Sequence, residues 1–237
     1  RPFYLLAAVQ AALVLPLWVL VFGGQTGLAF AKIGDQLYAF LTGSIWQISY
    51  TGDDATPFIN AVAHPSIGAV SAQGIVSVDG RIFFAGRRGI YEFTGGVPKY
   101  IGQPVEGLWR TINTSRLTNV VAVVNERDNE VKFSFSTAAN TTNDMTIIYD
   151  YVRSTWTVDD DYAPTYWANL PESLPLQPVF GDTAGRVMKT NTGLYLDDTA
   201  AIDAYCKTKP TDFGDIGRKR KVRQLITVVD TSSDEDA

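Results

Sequence analysis

Short apolar runs broken by glycine turns recur along the chain, and they set its fold class. The run Gln36-Leu37-Tyr38-Ala39-Phe40-Leu41 ends at Gly43 and restarts as Ser44-Ile45-Trp46-Gln47-Ile48. The same beat returns in Arg81-Ile82-Phe83-Phe84-Ala85 followed by Gly89-Ile90-Tyr91-Glu92-Phe93, and again from Val131, Val179 and Leu225. The first apolar residues of these units, Leu37, Ile82, Val131, Val179 and Leu225, stand 45, 49, 48 and 46 residues apart. A period of about 40–50 residues, built from short strands and tight turns, is that of a β-propeller blade. A lone blade cannot bury both faces of its sheet, so blades stack on one another. The pattern predicts an all-β chain of β-propeller-like repeats, about four antiparallel strands each, with long inter-blade loops.

Turn chemistry sharpens the strand boundaries. Gly34-Asp35, Gly52-Asp53-Asp54, Asp79-Gly80, Gly95-Gly96, Asp128-Asn129 and Gly181-Asp182 supply the positive φ angles or side-chain caps that join hairpins. Residues 119–125 and 129–136 read as one hairpin, in which Val131, Phe133 and Phe135 alternate with Lys132 and Ser134. Residues 146–151, a turn at Arg153-Ser154 and a strand at 155–158 complete a four-stranded unit. The best helical stretch is short, at 103–115. Residues 159–178 carry four prolines and Asp159-Asp160-Asp161, and read as a long surface loop between blades. Residues 191–209 read as a second irregular excursion.

The start breaks the rhythm. From Phe3 to Phe22 the strongly polar side chain is Gln10 and the helix breaker is Pro16. A membrane span needs roughly 20 apolar residues, and Ala29-Phe30-Ala31 has the small-x-small form of a signal cleavage site. Pro16 lies in mid-run, a cost to a spanning helix. The expectation is a buried N-terminal segment over 1–30, as core strands at 11–15 and 17–22 or a short docking helix. It precedes a propeller-like domain over 31–230 and an acidic tail over 231–237.

Composition narrows the chemistry. With 20 Lys and Arg against 25 Asp and Glu, the net charge of −5 offers no electrostatic footprint for gripping nucleic acid. A single Cys206 excludes an internal disulfide framework and cysteine-rich zinc sites. His64, the only histidine, precedes Pro65 and has no nucleophile-elbow motif beside it, so it reads as a turn or strand-end residue. The acidic groups at Asp53-Asp54, Asp159-Asp160-Asp161 and Asp197-Asp198 lack calcium-loop spacing and read as solvated turns. Sequons stand at Asn113 and Asn140. No catalytic residue, metal or cofactor is expected.

Two basic features remain as candidate interaction sites. Gly86-Arg87-Arg88-Gly89 lies between two strands, whereas a phosphate cradle opens a helix, so it reads as a hairpin turn presenting Arg87 and Arg88 to a partner or solvent. Arg218, Lys219, Arg220 and Lys221 form the one basic run, suited to phosphate or acidic contact or to guarding a strand edge against uncontrolled pairing.

The order of several motifs carries a resemblance. Ser66-Ile67-Gly68-Ala69-Val70-Ser71 is followed by Val76-Ser77-Val78-Asp79-Gly80-Arg81-Ile82-Phe83-Phe84 and by Gly89-Ile90-Tyr91-Glu92-Phe93. Later come Tyr149-Asp150 with Trp156, Phe180-Gly181-Asp182 with Gly185, and Lys219-Arg220. In this order they resemble the β-propeller proteins of bacteriophage tails, the nozzle or tubular proteins and packaged-DNA stabilisation proteins of short-tailed phages. The resemblance covers about Gly34 to Val229; the apolar start has no counterpart in it.

The resemblance implies a structural, non-enzymatic component of the virion, assembled in the host cytoplasm. It would be a tail or neck ring protein of nozzle, tubular or head-to-tail stopper type that lines or closes the DNA exit channel. Its partners would be identical subunits in a ring, expected as a hexamer, and adjoining tail, neck or adaptor proteins. DNA would be passing cargo only, and no membrane contact is expected. The rival reading is a secreted or envelope-anchored propeller, either a carbohydrate-binding module or a glycosidase. A third is a scaffold tethered by residues 3–22.

Overall fold

A computed structural model describes residues 29–53, 56–160, 163–170 and 177–190, with the backbone of 196–197 and 200–201. The chain divides into two compact units, residues 1–192 and 193–237. In the second, the described residues form a short antiparallel ladder, β16 (Leu196–Asp197) with β17 (Ala200–Ala201).

The described residues of the first unit form four antiparallel sheets in chain order. Sheet 1 holds β1 (Ala29–Ile33), β2 (Gln36–Phe40), β3 (Ile45–Tyr50) and β4 (Phe58–His64). Sheet 2 holds β5 (Ile75–Val78), β6 (Arg81–Gly86), β7 (Gly89–Phe93) and β8 (Lys99–Tyr100). Sheet 3 holds β9 (Val121–Asn125), β10 (Glu130–Phe135), β11 (Met145–Asp150) and β12 (Thr155–Asp159). Sheet 4 holds β13 (Tyr166–Leu170), β14 (Gln177–Gly181) and β15 (Val187–Lys189). Each sheet is a meander in which every strand pairs with its sequence neighbour. The periodic positions Leu37, Ile82, Val131 and Val179 all fall in second strands; Leu225 lies outside the described residues.

Alternation along each strand explains how the sheets stack. In β6, Ile82 and Phe84 point to sheet 1 and pack with Tyr38, Phe40 and Ile45, while Phe83 and Ala85 point to sheet 3 and pack with Val131, Phe133 and Tyr149. The run is therefore apolar on both faces, as a doubly covered strand requires. Phe40 meets Phe84 and Phe93 with ring centroids 5.2 and 5.8 Å apart, and Phe83 meets Tyr149 at 5.8 Å. On the far side of sheet 3, Val121 and Val123 meet Trp167 and Phe180 of sheet 4. Burying one such aromatic contributes about 1.5–3 kcal/mol, whereas an exposed pair such as Arg110–Glu106 contributes about 0–1. Apolar burial, with the hydrogen-bonded ladders, holds the stack.

One expectation is corrected. Residues 159–178 are not one loop: β13 lies inside that stretch and β14 begins before it ends. Trp167 is buried against Phe180 and donates through Nε1 to Ser134 Oγ at 3.0 Å, which gives the segment a reason to pair. Pro178 sits in the middle strand of its sheet, where a proline removes a donor. Its carbonyl accepts from Thr190 N at 3.3 Å, and the Gln177 side-chain amide donates to Thr190 O at 3.2 Å on that same side. Lys132 and Ser134 alternate with the apolar residues of β10 yet are also buried, because sheet 4 covers that face. The helical stretch at 103–115 resolves into 3₁₀ turns at Gln103–Val105 and Thr114–Asn119 flanking α1 (Glu106–Trp109), a single turn.

Candidate functional site

The connector between sheets 1 and 2 builds one wall of an open groove. Gly68 lies so close to the β2–β3 turn that a Cβ there would stand 1.9 Å from Leu41 O and 2.7 Å from Ser44 N. Only glycine lets Ala69 N donate to Leu41 O at 2.9 Å. One residue further on, Val70 N donates to Ala85 O at 2.9 Å, joining the connector to β6. His64 terminates β4, and its Nδ1 accepts from Ile67 N at 3.1 Å and Ser66 N at 3.4 Å, a strand-end cap.

The opposite wall is the β6–β7 turn, where Gly86 pairs with Gly89 and Arg87 and Arg88 occupy the tip. Gly89 takes φ +148°, and the Tyr100 ring lies 2.5 Å from where its Cβ would stand. Arg87 O accepts from Trp109 Nε1 at 3.5 Å, fixing the turn from α1. The two guanidinium groups are exposed over a groove of about 560 Å³ whose lining includes Gly43, Ser66, Gly68 and Tyr91. Burial raises the Tyr91 phenol above its ordinary range, and the Arg88 charge opposes part of that rise. Among the described residues no carboxylate lines the groove. By contrast Arg81, Arg110, Arg153 and Arg186 each pair with a carboxylate, on Glu92, Glu106, Asp150 and Asp182 respectively.

A second groove, about 500 Å³, opens where the connectors into sheets 2, 3 and 4 converge. Its lining is uncharged and rich in hydroxyls and amides, among them Ser71, Gln73, Thr141 and Asn143. Asn143 is 3% exposed. Its Nδ2 donates to Pro164 O at 2.7 Å and Asn119 O at 3.0 Å, and its Oδ1 accepts from Ser136 Oγ at 3.2 Å. One side chain thus ties the β10–β11 loop to the connectors on either side of sheet 3. Sequence reading passed over Asn143, since its main partners are backbone carbonyls 24 and 21 residues away and leave no mark in composition.

The remaining candidates have structural partners. Asp150 Oδ1 accepts from Arg153 N at 2.7 Å and Val152 N at 2.9 Å, and Asp182 Oδ1 accepts from Arg186 N at 2.8 Å and Ala184 N at 2.9 Å. These bonds, led by the Arg153 and Arg186 backbone donors, hold both carboxyls below the ordinary range. Asp144 is lowered as well: burial opposes the shift, but the Thr137 hydroxyl and N–H and the Asn140 amide outweigh it. The sequon residues are occupied, Asn113 with Ser115 N and Asn140 O, and Asn140 with Thr137 and Asp144. Among the described residues no group of three His, Cys, Asp or Glu could hold a metal. No described helix is long and apolar enough to cross a membrane. Arg218, Lys219, Arg220 and Lys221, residues 1–28 and the acidic tail lie outside the described residues.

Fold and site together define an all-β chain of stacked antiparallel meanders with a cationic groove and a neutral polar groove. No family model and no curated protein matches the chain.

Proposed function

We propose that this chain is a structural subunit of a bacteriophage tail or neck ring, with its sheets as the blades of a β-propeller-like body around the DNA exit channel. The observation that carries the reading is the coincidence of sequence period and architecture. Four successive sheets stack face to face, and the ordered motifs sit at their turns and interfaces: Ile67-Gly68 against the β2–β3 turn, Asp150 and Asp182 heading tight turns, and Tyr149 against Trp156 at 4.6 Å. Nearest-neighbour stacking of repeats suits a scaffold loaded by its neighbours. The net charge of −5 suits a channel that DNA must pass without being gripped. The ring, its sixfold order, its tail or neck partners and its place in the virion all belong to this proposal, as does the absence of enzymatic activity.

The hydroxyl- and amide-lined groove around Asn143 favours a second reading, a carbohydrate-binding propeller of the envelope or a secreted compartment. One experiment separates the two. Purified chain is examined without detergent by analytical ultracentrifugation and negative-stain microscopy. Closed rings of a single order support the ring subunit, and a monomer that stays in solution only with detergent overturns it.

A further inference from the structure

We propose that the groove between the β2–β3 and β6–β7 turns is a docking site for an acidic peptide segment of another protein, held by Arg87 and Arg88. This does not depend on the ring assignment.

The first support is charge left uncompensated among the described residues of an acidic protein. Arg186 sits in the β14–β15 turn, the place in sheet 4 that the β6–β7 turn occupies in sheet 2, and its Nε meets Asp182 Oδ2 at 2.7 Å. At the sheet 2 position two adjacent arginines have no carboxylate partner among the described residues, although the chain carries 25 Asp and Glu. An arginine fork is shaped to take a carboxylate through two parallel hydrogen bonds, and these charge-assisted bonds are the stronger kind.

The second support is rigidity. Both walls rest on glycines that tolerate no side chain without a clash, and Trp109 fixes the backbone of Arg87. A turn already held in shape loses little freedom on binding, so more of the contact energy appears as affinity. Tyr91, buried below the arginines, gives the groove an aromatic base.

The third support concerns the kind of anion. A nucleic-acid strand is held by a track of cations along its phosphates. Among the described residues this groove offers one pair of arginines and no lysine, and the protein's net charge repels a polyanion. A volume of about 560 Å³ suits a few residues of peptide bearing one or two carboxylates.

The test uses the full chain and three fluorescein-labelled ligands followed by anisotropy: a capped Gly-Asp-Asp-Asp-Gly peptide, its Asn counterpart, and a single-stranded oligonucleotide of equal charge. The Asp peptide is expected to bind best. The double variant Arg87→Ala with Arg88→Ala is expected to weaken that binding at least about tenfold, the scale of one lost charge-assisted hydrogen bond. Arg127→Ala, which removes an exposed charge from the β9–β10 turn, is expected to leave it within about twofold. Matching far-ultraviolet spectra and melting curves keep misfolding apart from lost contact. The proposal is overturned if the Asp peptide shows no binding or no advantage over its Asn form, if the double variant binds it as well, or if the oligonucleotide binds at least as tightly.

Discussion

Replacing Asn143 by alanine removes three hydrogen bonds from a site that solvent barely reaches, and its cost can be worked out partner by partner. The Pro164 carbonyl belongs to a buried residue, and Ser136 is 1% exposed, so neither regains water when the amide is gone. Each such stranded group costs about 1–3 kcal/mol. Asn119 is exposed, so its carbonyl rehydrates and little is lost there. A total of about 3 kcal/mol follows, and for a chain of this length that lowers Tm by about 6–12 °C. Urea denaturation followed by tryptophan fluorescence measures it, since Trp167 and Trp156 lie on the two faces of sheet 3 that the Asn143 loop borders. Asn143→Asp sharpens the test: its carboxylate would face the two carbonyls that the amide served, so its deficit should grow as pH rises from 4 to 8. The reasoning fails if the alanine variant falls within about 0.5 kcal/mol of wild type, the range of a surface substitution.

Two further outcomes follow from the same geometry. Gly68→Ala places a Cβ 1.9 Å from a backbone oxygen and should cost more than about 4 kcal/mol or abolish soluble expression; Gly107→Ala, in α1 with nothing within 4 Å, should be neutral or stabilise by up to about 1 kcal/mol. Denaturation midpoints should be level above the ordinary carboxylate range and fall below about pH 4. The folded-state pKa values of Asp144, Asp150 and Asp182 are lowered, so their contribution is present above the unfolded pKa and is lost as pH falls through the folded one. A midpoint unchanged down to pH 2.5, or the same acid slope in Asp182→Asn as in wild type, would contradict this.

The sheets were legible because their signals are local. Strand alternation, glycine turns and a constant period require no knowledge of distant residues, and second strands stand where the period puts them. The Asp150 and Asp182 turns were readable for the same reason, since each carboxylate serves residues within four positions of itself. What stayed hidden depends on partners far along the chain. Trp167 pairs with Ser134 across 33 residues, and without that contact the proline-rich stretch around β13 carries only loop chemistry. Lys132 alternates like a solvent-facing residue, and only the presence of sheet 4 reverses its burial. Arg87 and Arg88 could be placed on a turn from sequence, but the groove beneath them requires Gly68 of the connector between sheets 1 and 2 to close on the β2–β3 turn.

The connector over residues 65–74 has a consequence for cooperativity. Along its short length it bonds to Leu41, directly after β2 of sheet 1, through Ala69, to Ala85 of sheet 2 through Val70 and Gly74, and to Ala122 of sheet 3 through Gln73. In a plain stack of repeats each layer senses only the one beside it. Here a single backbone segment links the first and third layers as well, so fraying of β2 is transmitted to β9 without passing through the aromatic interfaces. The three layers should open as one unit, which makes the connector a determinant of unfolding cooperativity as well as a wall of the groove.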